Sequence, residues 1–326
     1  MHDLTFGLPA PIDTLAGVLA ASSLVSIVTW ASLFWLRGAL LDWGVVDQPN
    51  SRSLHTSPTP RGGGLAIASC VVVSLCGLAF FGHDLWVEMR GYVVCSALMA
   101  GLGWADDRTS LSVTIRFPIQ VAVAVLFTYL VGFPDSIQIP GFGQVARGWI
   151  GTTVVVVWIV GLTNAFNFMD GMDGLAAGQA AVAGGFWFAA AWGAGLPLVA
   201  SIALLIAVAS AAFLTHNWAP ARLFLGDIGS YFLGFSLAAL PLLALRASSA
   251  PRPWLVAGAF MLAPFLFDSV FTFFRRLIGR ENVFEAHRTH LYQRLAAKGV
   301  SASKVTATYM TLAAVGGVAG LLLLGW

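Results

Sequence analysis

Two asparagines and two aspartates recur at three-residue intervals in Asn164-Ala-Phe-Asn167-Phe-Met-Asp170-Gly-Met-Asp173-Gly174-Leu175. At a helix end such spacing lines side chains along one face. Hard oxygen donors of this kind suit Mg2+, which takes a few carboxylates and fills its remaining positions with water and substrate phosphates. Gly171 and Gly174 allow backbone to approach a ligand closely. A plain turn between two helices accounts for the glycines but not for four regularly spaced polar groups beside apolar runs.

Three further clusters carry chemistry. Asp106 and Asp107, in Gly103-Trp-Ala-Asp-Asp-Arg-Thr-Ser-Leu111, repel each other unless a cation or proton intervenes; taken alone, the pair also suits a solvated helix end. Asp227 follows Gly226 in Asn217-Trp-Ala-Pro-Ala-Arg-Leu-Phe224-Leu-Gly-Asp-Ile-Gly229-Ser230. There a carboxylate can hold a cation while open backbone admits phosphates. A helix starting at that point directs its N-terminal dipole at the same anion, and Asp227 can cap it as well. The last cluster is His287-Arg288-Thr-His290-Leu-Tyr-Gln-Arg294, inside a basic segment that begins at Arg275. Its two histidines lack a nearby third ligand, which argues against zinc. The segment can dock on anionic lipid or hold a diphosphate through charge-assisted hydrogen bonds.

The elements that must position these groups are apolar. Hydrophobic residues make up 58% of the 326-residue chain and charged residues 10%, against roughly 25% charged in soluble domains. Too few polar residues remain to coat a soluble helical protein. Windows of about 20 residues, enough to cross a hydrocarbon core, mark about ten spans, near 14–36, 64–82, 89–105, 117–133, 149–166, 174–193, 196–215, 229–245, 254–274 and 305–325. The expectation is an all-α polytopic membrane protein forming a single integral membrane domain, 1–326. Gly132 to Gly143 reads as a connecting loop and Gly193 to Pro197 as a tight turn. Cys70, Cys76 and Cys95 fall in apolar spans and read as small buried hydrophobes. The first 35 residues hold no Lys or Arg, so the first apolar segment reads as a retained span.

Basic residues orient the bundle. With the N-terminus outside, thirteen of the 17 Lys and Arg fall in inside loops and four, Arg90, Arg147, Arg246 and Arg252, in outside ones. Both termini are then external, and all four polar clusters face the cytoplasm, where soluble nucleotide-activated substrates are found. Polar groups gathered at one membrane face mark a site.

These clusters, in this order, resemble the polyprenyl-phosphate N-acetylhexosamine-1-phosphate transferases of glycosyltransferase family 4, the family of MraY, WecA and the WbpL-type O-antigen initiators. An early loop, Asp47-Gln-Pro-Asn-Ser-Arg52-Ser-Leu-His55 and then Pro58-Thr-Pro60-Arg61-Gly-Gly-Gly64, is similar to the first cytoplasmic loop of the WecA and WbpL branches. The resemblance covers most of the chain. It implies that Asp106 and Asp107 lie near the lipid phosphate and, with Asp227, form the catalytic acids. Asn167 and Asp227 would hold Mg2+, with Mn2+ as an alternative. Asp173, Asn217 and Phe224 would form the nucleotide pocket, Phe224 stacking on uracil. Arg116 would sit beside the phosphates, and His287, Arg288 and His290 near the donor diphosphate. Asn164 and Asp170 complete the implied substrate-binding set.

Two histidines separated by Arg-Thr, in place of the contiguous triplet of MraY, favour the WbpL-like branch over a muramoyl-pentapeptide donor. The implied reaction is attack of undecaprenyl phosphate on a UDP-sugar, releasing UMP. A phosphate monoester loses its second proton near pH 6, so a base is not strictly required, and the choice between Asp106 and Asp107 stays open. The implied setting is a bacterial inner membrane with periplasmic termini, initiating O-antigen or other envelope glycans. The lipid bilayer is a partner, nucleic acid is not, and a homodimer is allowed. The competing class is a transporter or flippase with acids lining a path.

Overall fold

Segments that are apolar on every side must satisfy their backbone internally, which makes helix the only open-chain solution in a bilayer. The computed structural model describes residues 14–48, 58–80, 83–132, 136–139, 143–146, 148–248, 250–281 and 289–326. Among the described residues the chain forms twelve helices: α1 (Leu15–Asp42), α2 (Gly64–Ala79), α3 (His83–Thr109), α4 (Val113–Val131), α5 (Trp149–Met169), α6 (Leu175–Gly193), α7 (Pro197–Asn217), α8 (Gly226–Ala247), α9 (Trp254–Met261), α10 (Ala263–Ile278), α11 (Leu291–Ala297) and α12 (Ala302–Leu324). Two short antiparallel ribbons accompany them. β1 (Val46–Asp47) pairs with β2 (Thr59–Pro60), and β3 (Ser136–Ile139) pairs with β4 (Gly143–Ala146). The second ribbon occupies much of the Gly132 to Gly143 stretch that reads as a plain loop in the sequence.

α8 is the axis of the bundle, packed by α2, α3, α5, α6, α7 and α9. In its most apolar window 94% of residues are buried, against 22% in α1 and α4. The outer helices therefore present apolar side chains, among them Ile27, Phe34 and Trp35, to their surroundings.

α10 makes the nature of those surroundings plain. Its polar residues Asp268, Thr272 and Arg276 are buried, while Phe267, Phe271, Phe274, Leu277 and Ile278 point outward. An amphipathic helix with its apolar face outside needs lipid there. The chain is an all-α polytopic membrane protein.

Six helices, α1, α4, α5, α7, α8 and α12, are long and apolar enough to cross a membrane by length and composition. α9 and α10 make a seventh if taken as one broken span. The expected spans 64–82, 89–105 and 174–193 correspond to α2, α3 and α6. α2 has 16 residues, α3 carries Glu88 and Arg90 within its apolar stretch, and α6 is diluted by Gln179 and a run of Gly and Ala.

The expected straight span 254–274 is instead bent by 81° between α9 and α10. Pro264 opens α10 and lacks the N–H that would continue the ladder. At the break the Met261 carbonyl accepts a hydrogen bond from Gln179 Nε2 at 2.9 Å, so this backbone stays satisfied inside the protein, as a bilayer demands.

Candidate active site

The C-terminal ends of α3, α5 and α7 and the N-terminal ends of α4, α6, α8 and α12 meet at one end of the bundle, and the polar clusters meet with them. The start of α8 is the centre. Gly226 has φ +79°, and a Cβ there would strike the Asp107 carboxylate at 2.6 Å, so only glycine fits. Asp107 receives the first turn of α8. Its Oδ1 accepts the Asp227 N–H at 2.8 Å and its Oδ2 the Ile228 N–H at 3.0 Å. This satisfies two of the four orphan N–H groups of that helix, whose Asp227 side chain meets Asn167 and Arg61.

The chain entering α2 closes over this start. Gly62 and Gly63 N–H both donate to the Phe224 carbonyl, at 3.1 and 2.8 Å, Gly64 N–H to Leu225 O at 2.9 Å, and Phe224 N–H to Pro60 O at 2.8 Å. Gly64 and Gly229 lie backbone to backbone, where no Cβ could be accommodated. Arg61 thereby stands over the acids. Its Nε lies 2.7 Å from Asp107 Oδ1 and its Nη2 2.8 Å from Asp227 Oδ2.

Asn167 Nδ2 donates to Asp227 Oδ1 at 2.6 Å and to Ser230 Oγ at 3.1 Å. Asp170 caps the end of α5. Burial holds its carboxyl well above the usual range; Arg61 opposes this, while Asp227, Asp107 and Asp173 push the same way as burial. Asp107 is likewise pushed up to about 6, first by burial and then by the Asp227 charge, against the pull of Arg61 and the two backbone N–H groups. Three acids share one arginine, so the cluster is short of positive charge.

Asp106 faces the other way. Its Oδ2 accepts from Tyr231 OH at 2.7 Å and Arg116 Nη1 at 3.1 Å, and its Oδ1 from Leu111 N–H at 2.8 Å. It is buried and engaged, and it sets the direction of Arg116 at the start of α4.

The regular stripe read from the sequence parts company at Asn164. That amide donates to Gln120 Oε1 on α4 at 2.7 Å and to the Val160 carbonyl at 2.8 Å, one turn below Asn167. Asn217 is also not a lining residue. It is buried, accepts the Gly174 N–H at 2.9 Å and donates to Leu223 O at 2.9 Å. Both amide ends are engaged in stapling the α5–α6 turn to the α7–α8 loop. Asp173 acts similarly, accepting the Ala221 N–H at 2.9 Å. Phe224 is half-buried, its backbone held by the Arg61 turn.

His287 and Arg288 lie outside the described residues. His290 is buried and N-caps α11, with Nδ1 3.1 Å from Asp268 Oδ1. Asp268 also accepts from Leu291 N–H (2.9 Å), Tyr292 N–H (3.2 Å), Tyr309 OH (2.7 Å) and Thr272 Oγ1 (3.1 Å). Tyr292 OH reaches the Phe168 carbonyl at 3.0 Å, and the His290 ring centroid lies 6.0 Å from that of Phe168. His290 and Tyr292 are thus docked on the Asn167–Asp170 end of α5. Sequence reading had placed neither Arg61 nor Asp268 in the site. A signal existed for Asp268, a lone acid well inside an apolar span, which is costly unless it serves something.

The profile of glycosyl transferase family 4 matches residues 89–245, which contain Asp106, Asp107, Arg116, the α5 cluster and Asp227. A probable undecaprenyl-phosphate N-acetylglucosaminyl 1-phosphate transferase of Bacillus subtilis is 33% identical over 259 residues, covering 79% of this chain and 71% of that protein. This chain belongs to glycosyl transferase family 4. Other relatives in the family are a decaprenyl-phosphate N-acetylglucosaminephosphotransferase of Mycolicibacterium smegmatis, 30% identical over 92% of this chain and 79% of its own length, and a phospho-N-acetylmuramoyl-pentapeptide-transferase of Lacticaseibacillus paracasei, 31% identical over 57% and 62%. Arg61, Asp268 and His290 lie outside the stretch that the family profile matches.

Proposed function

We propose that this chain transfers an N-acetylhexosamine-1-phosphate from a UDP-sugar to undecaprenyl phosphate, giving a lipid diphosphosugar and UMP at the cytoplasmic face of a bacterial inner membrane. The observation that carries the reading is the arrangement around α8: Asp227 and Asn167 side by side at a helix N-terminus, backed by Asp107 and faced by arginine. Two anions must meet there, so the work is charge neutralisation and in-line positioning. Release of UMP from UDP-N-acetylglucosamine by purified protein, dependent on undecaprenyl phosphate, is the direct test. No UMP above background with any UDP-N-acetylhexosamine would sink it.

The donor set fits Mg2+. Among the described residues no three His, Cys, Asp or Glu side chains converge on one point. A sparse shell of one carboxylate and one amide is what Mg2+ accepts when phosphates and water complete it, whereas a structural zinc would need four protein ligands. Charge points the same way, since a divalent ion would offset the mutual repulsion of Asp107, Asp170 and Asp227, which adds to the effect of burial on Asp170 and Asp107. Asp227 and Asn167 would hold the ion, which would neutralise the diphosphate and stabilise the departing UMP. The rest falls to the chain itself. The α8 N-terminus offers its dipole to phosphate, Arg116 is steered by Asp106 and Tyr231, and the α7–α8 loop presents Phe224 to the base.

In the same reading the Asp268–His290 pair holds one ring nitrogen so that the other is directed at the diphosphate, as carboxylates orient functional histidines elsewhere. One charge-assisted hydrogen bond contributes about 1.5–3 kcal/mol. His290→Ala is therefore expected to lose at least about tenfold in kcat/KM for UDP-sugar while the solubilised protein stays monodisperse. Asp268→Asn should follow it, because the charge that orients the ring is gone. Near-normal kinetics in both variants would return the segment to lipid anchoring.

The apolar windows support about ten crossings, and the basic-residue asymmetry supports periplasmic termini at both ends. In right-side-out vesicles, on a background lacking the native cysteines, Arg108→Cys should resist an impermeant thiol reagent and Ala250→Cys should react. The reverse pattern would invert the topology. A transporter reading fares worse, because the deepest acid, Asp268, is buried and engaged by His290, Thr272, Tyr309 and the Leu291 and Tyr292 N–H groups. The separated histidines favour a simple N-acetylhexosamine donor. Initiation of O-antigen or a related envelope glycan is the role that this product would serve.

A further inference from the structure

Asp227 has two oxygens, and both are engaged. Oδ2 faces Arg61 Nη2 at 2.8 Å, and Oδ1 faces Asn167 Nδ2 at 2.6 Å. A divalent cation can reach this carboxylate only if a donor gives way. The Asn167 amide can turn by half a rotation and present its oxygen, becoming a ligand in place of a donor. Arg61 has no such option, since a guanidinium has no acceptor and cannot deprotonate. The turned amide frees Oδ1, and a cation seated there repels the guanidinium on Oδ2 of the same carboxylate, so the arginine is the group driven to move.

The fold leaves it free to do so by side chain alone. The Arg61 backbone is fixed by its N–H to Val45 O at 3.0 Å and by the glycine staples of the following residues to Phe224 and Leu225. Its side chain is 35% exposed at the mouth of the cleft, while that of Asp107 is fully buried. The two contacts are also separable. Nε is held by Asp107, whose other partners are the backbone N–H groups of Asp227 and Ile228, and Nη2 alone reaches Asp227. A rotation about the last bonds of the side chain can release Asp227 and keep the tether to Asp107.

We propose that Arg61 is a cationic place-holder on Asp227: it yields that carboxylate to the divalent ion and, still tethered to Asp107, turns its released edge onto the phosphates that arrive with the ion. The proposal rests on the reading of Asp227 as the cation ligand. It assigns Arg61 two linked tasks. Before binding, it offsets one of three crowded acids. During binding, it becomes a bidentate donor to a phosphate, for which the planar fork suits. Arg61 is a positioning residue in the first state and a substrate contact in the second.

The place-holder role has a sign that a merely structural arginine would not produce. Removing a competitor must tighten the metal while harming the reaction. The full chain is purified in detergent and titrated with Mn2+ alone, free Mn2+ being read by its paramagnetic resonance signal, with no nucleotide or lipid present. Arg61→Met is expected to bind Mn2+ at least about tenfold tighter than wild type, equivalent to about 1.4 kcal/mol, and to show a raised KM for UDP-sugar at saturating metal. Arg61→Lys, which keeps the charge but loses the fork, is expected to fall between the two in Mn2+ affinity; it carries the test alone if the methionine variant does not fold. Asp227→Asn should abolish the tight Mn2+ site in either background. Unchanged or weaker Mn2+ binding by both Arg61 variants overturns the proposal, and so does tighter binding with an unaltered KM. If neither wild type nor the variants bind Mn2+, or binding survives Asp227→Asn, the metal reading itself fails and the proposal falls with it.

Discussion

Asp227→Asn is expected to leave the protein folded and to reduce transferase turnover by about a thousandfold or more, some 4 kcal/mol of lost transition-state stabilisation. The substitution keeps the shape of the side chain and its hydrogen bond with Asn167, and it removes the charge that Arg61 pairs with and that the proposed divalent ion would use. The Asp107 bonds to the backbone of residues 227 and 228 do not involve the Asp227 side chain, so the start of α8 should persist. A melting temperature within a few degrees of wild type, measured in the same detergent, would exclude unfolding as the cause. Turnover measured at rising Mg2+ separates a weakened metal site, which high Mg2+ would partly rescue, from a lost chemical group. Wild-type turnover at ordinary Mg2+ would show that the ion is held elsewhere.

That Asp227 could be singled out from sequence alone has a physical reason, and so does the obscurity of its partners. An acid beside a bilayer is costly enough to carry meaning, and flanking glycines advertise an open backbone, so Asp227 and the α5 cluster stood out. Arg61 is 166 positions from Asp227, and nothing in local spacing links them; only the glycine staples of the α2 entry bring the two together. The same holds for Asp268 and His290, although the lone acid in an apolar run was a visible clue. Asn217 shows a different limit. Its residue type suits a pocket, but whether an amide faces a ligand or staples two loops depends on partners that lie elsewhere in the chain.

The fold divides in the same way. Apolar runs located nearly every long helix, because length and hydropathy are local properties. The break at Leu262 did not show, since Pro264 interrupts neither the apolar run nor its length, and the partner of the Met261 carbonyl at the bend, Gln179 of α6, lies far away in the sequence. The β3–β4 ribbon was hidden by the glycines and proline around it, which read as loop.

The second large effect concerns the Asp106–Asp107 pair, where sequence left the role of each residue open. Asp107 is fully buried, and it accepts from Arg61 and from the Asp227 and Ile228 N–H groups in the first turn of α8. A carboxylate so engaged is expected to act through Asp227, by fixing where that helix begins, instead of as a base. In Asp107→Asn the amide nitrogen must face a backbone N–H or the Arg61 guanidinium, so at least one charge-assisted bond becomes a repulsion. With each such bond contributing about 1.5–3 kcal/mol, the expected loss is about a hundredfold in kcat. The double variant Asp107→Asn/Asp227→Asn decides the route. If Asp107 works through Asp227, the second substitution adds little, and the double variant should turn over within about threefold of Asp227→Asn, the pair being strongly non-additive. Multiplied losses, about a hundredfold beyond Asp227→Asn, would mean that Asp107 touches the reaction independently. The pH profile provides a further check: removal of a true base would delete a limb from kcat against pH, whereas removal of a positioning residue should lower the whole curve without changing its shape.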